Sequence, residues 1–598
     1  MEKNLDNSSG VEIIAEVANT HQGDPNYAYQ LASKCLSSGA NAVKFQIYFA
    51  NELLSKNHPK YNHFKKQSFS PSTWKDIFNS LRCKNKKIYA DVFGIEAFNL
   101  ARNCDLDGFK IHSSDLSNNE ILEKINNKKK KYFLSAGGST IREIHTSLKF
   151  LNKKNIQPVL MHGFQAYPTK INDNNLKRIL FFKKIFKKRC EVGFQDHTFG
   201  GSKMATVIPN LAVSLGAKYI EKHVILKRLK NRIDYYSSFE PNELEKFVNL
   251  IKTKKQLNIK KKIKNKIFGS QDFKFSQAEL NYRNNFKKVW FSKKEIKKNV
   301  IVKKKDLIMK RIHNEKINSI ALDNFIKKKS LINIKKETPI NKSMVLNEVI
   351  ALIIVRSASK RLPKKSHLSI CGYKTIEHLI LRLKQSKKIN KIILCTTRKK
   401  EDKIFKLISK KHKIDIFFGD NLDVLNRMIG AIKNKKCDIV LRITGDDILI
   451  DPEYLDQSIQ FHLKNNLEYS NNKKLPSGME IEVFDKKLLL DIQKLSVNTK
   501  NTEYLSFYIN NNIEQIQNGT LNLKKDYRKI RMTLDHYNDF IVIKSFLEKM
   551  KINNKLFTYS LNDVVKFYNN NKDLFKINKI KKIKGKKLNT TFDWTKLD

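Results

Sequence analysis

From residue 11 to about residue 226 one pattern repeats: a short β-branched run ends in polar residues, and a stretch with helical spacing follows. The runs are VEIIAEVA (11–18), AVKFQIY (42–48), IYADVF (88–93), FKIHSS (109–114), YFLSAG (132–137), PVLMHGF (158–164), EVGFQDH (191–197) and YIEKHVIL (219–226). The intervening stretches, such as NLKRILFFKKIFKK, carry apolar residues three and four positions apart. Eight strand–helix units predict a closed parallel barrel of the TIM, (β/α)8, class. In such barrels the chemistry sits at the C-terminal ends of the strands.

The pattern then changes. Residues 253–285, opening with TKKQLNIKKKIKNK, read as a linker. In 286–347 the segments VWFSKKEIKKNVIVKKKDLIMKR and SLINIKKETPINKSMV echo each other, which suggests a compact β-clip. A third region opens with VIALIIV at Val349 and continues through KKINKIILCTT, KIDIFFGD and CDIVLRITGD. Alternating strands and helices there predict an open, doubly wound, Rossmann-like parallel sheet. The expected organisation is a barrel over 1–265, a small module over 286–347, a nucleotide-binding type of domain over 348–570 and a solvated basic tail over 571–598.

The strand ends supply candidate chemistry. They carry Glu16, Lys44 with Gln46, Asp91, Lys110 with Ser113 and Asp115, Ser135, His162, His197, then Glu221 with His223. His197 and His223 end runs seven and eight, which are neighbours in a barrel. Two imidazoles there suit one divalent cation, with water and substrate oxygens completing its shell. The other reading of the same pair is two structural histidines bonded to neighbouring loops.

The formal charge of +59 comes from 117 basic and 58 acidic residues. Phosphate contacts with nucleic acid or an anionic membrane are one reading of it. The lysines are spread along the whole chain without interleaved aromatics, and no zinc-finger or RNA-binding signature accompanies them. That favours compositional drift over a nucleic-acid partner. Seven cysteines without a CxxC argue against a disulfide framework or structural zinc and for a reducing cytoplasm. The N-terminus lacks an apolar signal core, and the longest apolar run, Val349 to Val355, is too short to span a bilayer.

In the front half AEVANTHQG, AVKFQ, FKIHSSDL, LSAGG, LMHGFQAYPT, GFQDHT and EKHVIL occur in order. Together they resemble the sialic acid synthase family, which makes nonulosonic acids, and the module at 286–347 resembles that family's antifreeze-like (SAF) domain. The resemblance implies condensation of phosphoenolpyruvate with an N-acylhexosamine of the N-acetylmannosamine type, giving a nine-carbon keto acid and phosphate. It implies Mn2+ or Mg2+ on His197 and His223, and Glu16 near the reacting centre. Lys44, Lys110, Ser113 and Ser135 match positions that hold phosphoenolpyruvate, and Gln46, Tyr167 and Asp234 match the sugar site. Arg311 matches an arginine that crosses a homodimer to the partner's sugar. Departures from the family pattern are Asp91 for a threonine, Gly138 for the methionine of L-S-T-G-M and Lys227 for an aspartate. The acceptor stays open among neuraminic, legionaminic and pseudaminic precursors.

In the rear half IIVRSASKRLPKKS resembles the activation loop of CMP-sialic acid synthetases and related polysaccharide-type cytidylyltransferases. Arg356, Ser359, Arg361 and Lys365 match its CTP-binding positions, and Ala358 replaces a glycine. RITGDDILIDPE places Asp446 where that family binds Mg2+, with Glu480 or Glu482 as a second carboxylate. By itself RITGDD also reads as a strand followed by a turn. The two resemblances imply a bifunctional enzyme of nonulosonic acid biosynthesis. A synthase with a non-catalytic nucleotide- or partner-binding rear domain is the alternative, ahead of a basic nucleic-acid-binding protein.

Overall fold

The eight runs form eight parallel strands: β1 (Glu12–Glu16), β2 (Ala42–Ile47), β3 (Lys87–Val92), β4 (Gly108–Ile111), β5 (Lys131–Ser135), β6 (Val159–His162), β7 (Glu191–Asp196) and β8 (Tyr219–Val224). Each pairs with the next, and β1 also pairs with β8, which closes the barrel. A two-residue strand, β9 (Ser238–Phe239), extends β8 at the rim. The computed structural model describes residues 10–597 except 83–84, 164–165, 254–256, 258, 271–272, 314–316, 360, 498, 500–504 and 580–589.

The barrel interior is filled by side chains. Ile14, Ala42, Tyr89, Phe133, Val159 and Met161 form one buried apolar cluster drawn from β1, β2, β3, β5 and β6. Inward positions recur every second residue along a strand. Each strand can therefore carry apolar fill near its start and a polar group at its C-terminal end. This alternation lets one short run serve both core and site.

Two compact units make up the chain. The first comprises Met1–Ile296, Lys303–Ile326 and Ile334–Ile340; the second comprises Lys297–Val302, Lys327–Asn333 and Asn341–Asp598. The segment 286–347 is thus divided between them. Its antiparallel hairpin, β10 (Lys288–Ser292) and β11 (Leu307–Arg311), belongs to the barrel unit.

The segment expected as a linker is largely helical, over Lys261–Phe268 and Gln277–Phe286. A capping box starts the second helix: Ser276 Oγ accepts from Glu279 N, and Glu279 Oε2 accepts from Ser276 N. Ile267, Phe273, Phe275 and Tyr282 are buried along this stretch. Arg178 Nη1 meets Glu279 Oε1 at 2.7 Å with both side chains almost fully enclosed. High lysine content concealed these anchors.

In the second unit a two-residue hairpin, β13 (Ser369–Ile370) with β14 (Tyr373–Lys374), follows β12 (Val349–Ile354). The main sheet adds β15 (Lys391–Thr397), β16 (Asp415–Gly419), β17 (Ile439–Thr444), β18 (Tyr469–Asn472), β19 (Glu482–Asp485) and β20 (Asn518–Leu521). Its order is β16-β15-β12-β17-β19-β18-β20. The strands β16, β15, β12 and β17 are parallel, as expected, but β19 runs antiparallel to both β17 and β18. The end of the chain is not wholly a solvated extension. Phe592 and Leu597 are buried, and Asp593 N donates to Leu495 O, so the last described residues return to the helix Lys486–Leu495. The basic run at 580–589 lies outside the described residues. Among the described residues no helix is long and apolar enough to cross a membrane.

Glu279→Ala removes both the cap and the partner of a buried guanidinium. A change that leaves such a charge unpaired destabilises by about 3–5 kcal/mol. We expect the first unit's transition in urea to move down accordingly, with the second unit's transition unchanged.

Candidate active site

The inward positions at the C-terminal half of the barrel are charged. Glu16 lies in register with Lys44 on β2 and with His223 on β8. Lys44 Nζ contacts Glu16 Oε2, reaches Glu221 Oε2 at 2.9 Å and lies 3.7 Å from Asp91 Oδ2. Lys110 Nζ reaches Glu221 Oε1 at 2.7 Å and is also 3.7 Å from Asp91 Oδ2. All five side chains are buried. Three carboxylates against two ammonium groups would leave an excess negative charge in a dry interior. Burial resolves it by raising the Glu16 carboxyl to about 7; Glu221 and Asp91 push the same way against Lys44 and Lys110. Burial also raises Asp91, with Lys44 and Lys110 opposing. For Glu221 burial is outweighed by Lys110 and Lys44, which hold it below the usual carboxylate range. With Glu16 protonated, two carboxylates balance two cations.

Asp91 therefore does not face a phosphate position unpaired. Its Oδ2 stands 3.7 Å from the ammonium group of each lysine.

One inward position further along, Gln46 on β2 and His223 on β8 reach a cavity of about 420 Å3. Its walls also include Tyr48, Tyr167, Asp234 and Arg311. His197 and His223 are almost fully buried, with ring centroids 5.2 Å apart. The edge of Tyr167 packs against both, at 4.5 and 5.9 Å. The backbone of His197 is pinned: its carbonyl accepts from Thr169 N and from Ser237 Oγ, each at 2.8 Å. His223 Nδ1 is buried without a hydrogen bond and lies 3.7 Å from Asp234 Oδ2. Burial and the adjacent His197 hold His223 well below the ordinary imidazole value, in the neutral form a metal ligand needs. Two imidazoles bound side by side on one ion, with metal–nitrogen distances of about 2.1 Å, hold their ring centres on the order of 5 Å apart. The pair fits that requirement. Among the described residues no cluster of three or more His, Cys, Asp or Glu forms a closed cage. A two-histidine site leaves positions open to substrate and water.

Ser113 and Ser135 are also buried. Ser135 Oγ accepts from Gln195 Nε2 at 2.9 Å, and Ser113 Oγ shares a 2.9 Å hydrogen bond with Tyr282 Oη. Arg311 ends β11, which forms a bridge with Leu54 of the barrel. Its guanidinium stacks near Phe93, Phe286 and Phe64, at 5.4, 5.5 and 6.0 Å from their ring centres. Its Nε is buried without a hydrogen bond. Where the sequence led us to expect a partner's pocket, Arg311 lines the pocket of its own chain. Lys227 is exposed beyond the end of β8.

The second unit carries its own polar site at the C-terminal ends of β12 and β17. Lys365 Nζ lies 2.5 Å from Asp446 Oδ2 and 3.0 Å from Asp535 Oδ1, and Arg361 Nη2 reaches the same Asp535 oxygen at 2.9 Å. Arg356 is exposed and Ser359 half-buried in the loop that follows β12. Ala358 does not take a positive φ, so the loop accommodates its Cβ without strain. Burial, then Asp446 and Glu480, raises Asp447 to about 8. Glu482 is not available as a metal ligand: it pairs with Arg442 at 2.7 Å and accepts from Tyr469 Oη. The second carboxylate that meets Asp446 across one cation is Asp535, which no motif marked. Two acids converging on the Lys365 ammonium suit a hydrated Mg2+.

Both halves of the chain resemble known proteins. Residues 31–263 match the NeuB family and residues 350–584 match the cytidylyltransferase family. The chain is 30% identical over 342 residues to N,N'-diacetyllegionaminic acid synthase of Campylobacter jejuni, spanning 54% of this chain and 97% of that one. It is 29% identical over 257 residues to pseudaminic acid synthase of Helicobacter pylori, covering 40% of this chain and 73% of the relative. Spore coat polysaccharide biosynthesis protein SpsF of Bacillus subtilis is 28% identical over 211 residues, or 34% of this chain and 88% of its own length. The chain belongs to the NeuB family, a NeuB-type synthase with a cytidylyltransferase domain on its C-terminal side.

Proposed function

We propose that the barrel condenses phosphoenolpyruvate with an N-acylhexosamine, giving a nine-carbon keto acid and phosphate, and that the second unit transfers a cytidylyl group from CTP to a sugar acid. The observation that carries this reading is the buried pair His197 and His223, side by side, with His223 on the cavity wall and two buried lysines in the same barrel interior. His197 and His223 would hold Mn2+ or Mg2+, which when bound polarises the aldehyde oxygen of the acceptor. Lys44 and Lys110 offset the charge of phosphoenolpyruvate, and Ser113 and Ser135 offer it hydroxyl groups. Glu16, with its carboxyl raised to about 7, gives up or takes a proton near neutrality as water adds and phosphate departs. Gln46, Tyr167 and Asp234 bind the sugar hydroxyls, and Arg311 binds its acyl oxygen.

In the second unit Arg356, Ser359, Arg361 and Lys365 bind the CTP phosphates. A sugar-acid hydroxyl attacks the α-phosphorus, that bond forms as the α–β bridge breaks, and pyrophosphate leaves. Asp446 and Asp535 would hold Mg2+, which neutralises phosphate charge.

His197→Ala is expected to abolish phosphate release from phosphoenolpyruvate and acceptor, and chelation to do so reversibly, while pyrophosphate release from CTP with a supplied keto acid persists. Condensation that is indifferent to chelators sinks the metal reading. Burial raises Asp234 to about 6. If its carboxylate accepts from sugar hydroxyls, protonation removes that role. The KM for acceptor should then rise as pH falls below about 6, and Asp234→Asn should flatten this limb. Arg311 lines this pocket from within one chain, and on that reading a site need not be shared between subunits. Condensation per mole of chain should stay constant on dilution through any dimer dissociation, and a loss on dilution would restore the shared-site arrangement.

A further inference from the structure

The linker helix Gln277–Phe286 contributes five residues to the cavity wall: Ala278, Asn281, Tyr282, Asn285 and Phe286. Their spacing is one helical face. A single helix from outside the barrel thus supplies more of this wall than any barrel strand does. Tyr282 locks it there. The phenol is buried, its Oη shares the hydrogen bond with Ser113 Oγ and approaches His112 Nε2 at 3.4 Å, and its ring stacks on Phe286 at 5.0 Å.

The space for that ring depends on Gly138. Gly138 has φ +63°, and a Cβ there would meet Tyr282 Cδ1 at 2.9 Å. This is the position where LSAGG departs from L-S-T-G-M. The departure and the helix explain each other: a side chain at 138 and a ring at 282 exclude one another. On the far side of the helix Arg283 pairs with Glu143 at 2.7 Å, so the face toward the cavity is held from both directions.

Two exposed carboxamides, Asn281 and Asn285, stand one turn apart on that face. A carboxamide both donates and accepts, which matches the N–H and C=O of an acylamino group. We infer that Asn281 and Asn285 select the acceptor, exchanging hydrogen bonds with an acylamino substituent of the hexosamine, and that Tyr282 is the positioning residue that sets the helix over the cavity. The inference rests on the synthase reading above and adds a discriminating element to it. Sites built to bond a polar substituent reject analogues that lack it more strongly than apolar pockets do.

The test uses the full chain with Mn2+, phosphoenolpyruvate and hexosamines bearing one or two acylamino groups, read by phosphate release. In the Asn281→Ala/Asn285→Ala variant the KM for the best wild-type acceptor should rise about tenfold, the loss of roughly one good hydrogen bond. The KM for phosphoenolpyruvate should stay put, and the preference between singly and doubly acylated acceptors should narrow. Gly138→Ala, which displaces Tyr282 without touching either asparagine, should raise the acceptor KM in the same direction, with an unchanged thermal midpoint for the second unit. An acceptor KM that stays at the wild-type value in the double variant, or a phosphoenolpyruvate KM that rises in parallel, overturns the inference while the synthase reading stands. A wild-type protein that releases no phosphate with any acceptor overturns both.

Discussion

Two ammonium groups and three carboxylates share the dry interior of the barrel, and that charge balance constrains everything around it. An isolated buried charge costs several kcal/mol even after relaxation, so neither lysine can be removed without stranding a carboxylate. Lys44 is the hinge of the arrangement, touching Glu16, Glu221 and Asp91. Burial would lower its pKa, but Glu16 and Glu221 hold it above the ordinary lysine value. Lys44 is thus fixed in place and held in its charged form. Groups of that kind stabilise an anion without reorganising, which is the main source of electrostatic preorganisation in a site. Under the proposed chemistry the lysines keep their carboxylate partners, and Glu16 adjusts its proton to offset the charge of the incoming anion.

The same constraint bears on the histidines. Cations at Lys44 and Lys110 and the mutual proximity of the imidazoles all disfavour protonation of His223. A neutral ring with an unsatisfied, buried nitrogen is uncomfortable as a purely structural group, because buried polar atoms are nearly always bonded. Asp234 at 3.7 Å is too far to satisfy it. His162 looks different: its Nε2 meets Asn174 O at 2.8 Å. The unbonded Nδ1 of His223 is one reason we propose a cation there.

What the sequence made legible follows from what is local. All eight barrel strands lie where short β-branched runs end in polar residues, because alternation and β-branching act within a few residues. Residues at strand ends were likewise visible as candidates. The pairings among them were not. Glu221 stands 111 residues from Lys110, and only closure of the sheet brings them to 2.7 Å. Asp535 follows a strandless stretch and meets Asp446 solely through tertiary folding, which is why the two glutamates nearer in sequence drew attention instead. The helix at Gln277–Phe286 had a readable signal, serine followed three residues later by glutamate, but runs of lysine on the approach made the region look like a spacer. Its role in the cavity wall depends on Gly138, 144 residues before Tyr282, and no local rule couples them.

The two units handle anions by different physical means. In the barrel, Lys44 is about 1% exposed and tied to three acids, so it acts as a fixed charge. In the second unit the Lys365 side chain is 15% exposed and held by two acids that are themselves 22% and 14% exposed. Ion pairs that water reaches exchange partners at little cost. Lys365 can leave Asp446 and Asp535 for a phosphate while a hydrated cation takes its place, a swap that the buried barrel cluster could not make without a large desolvation penalty. A nucleotide arrives with its own Mg2+ and needs a site that opens to admit it. A small trianion entering a barrel needs a site already charged and already dry. On the proposed function, the difference in burial between two lysines suits one site to a metal–nucleotide complex and the other to a bare anion.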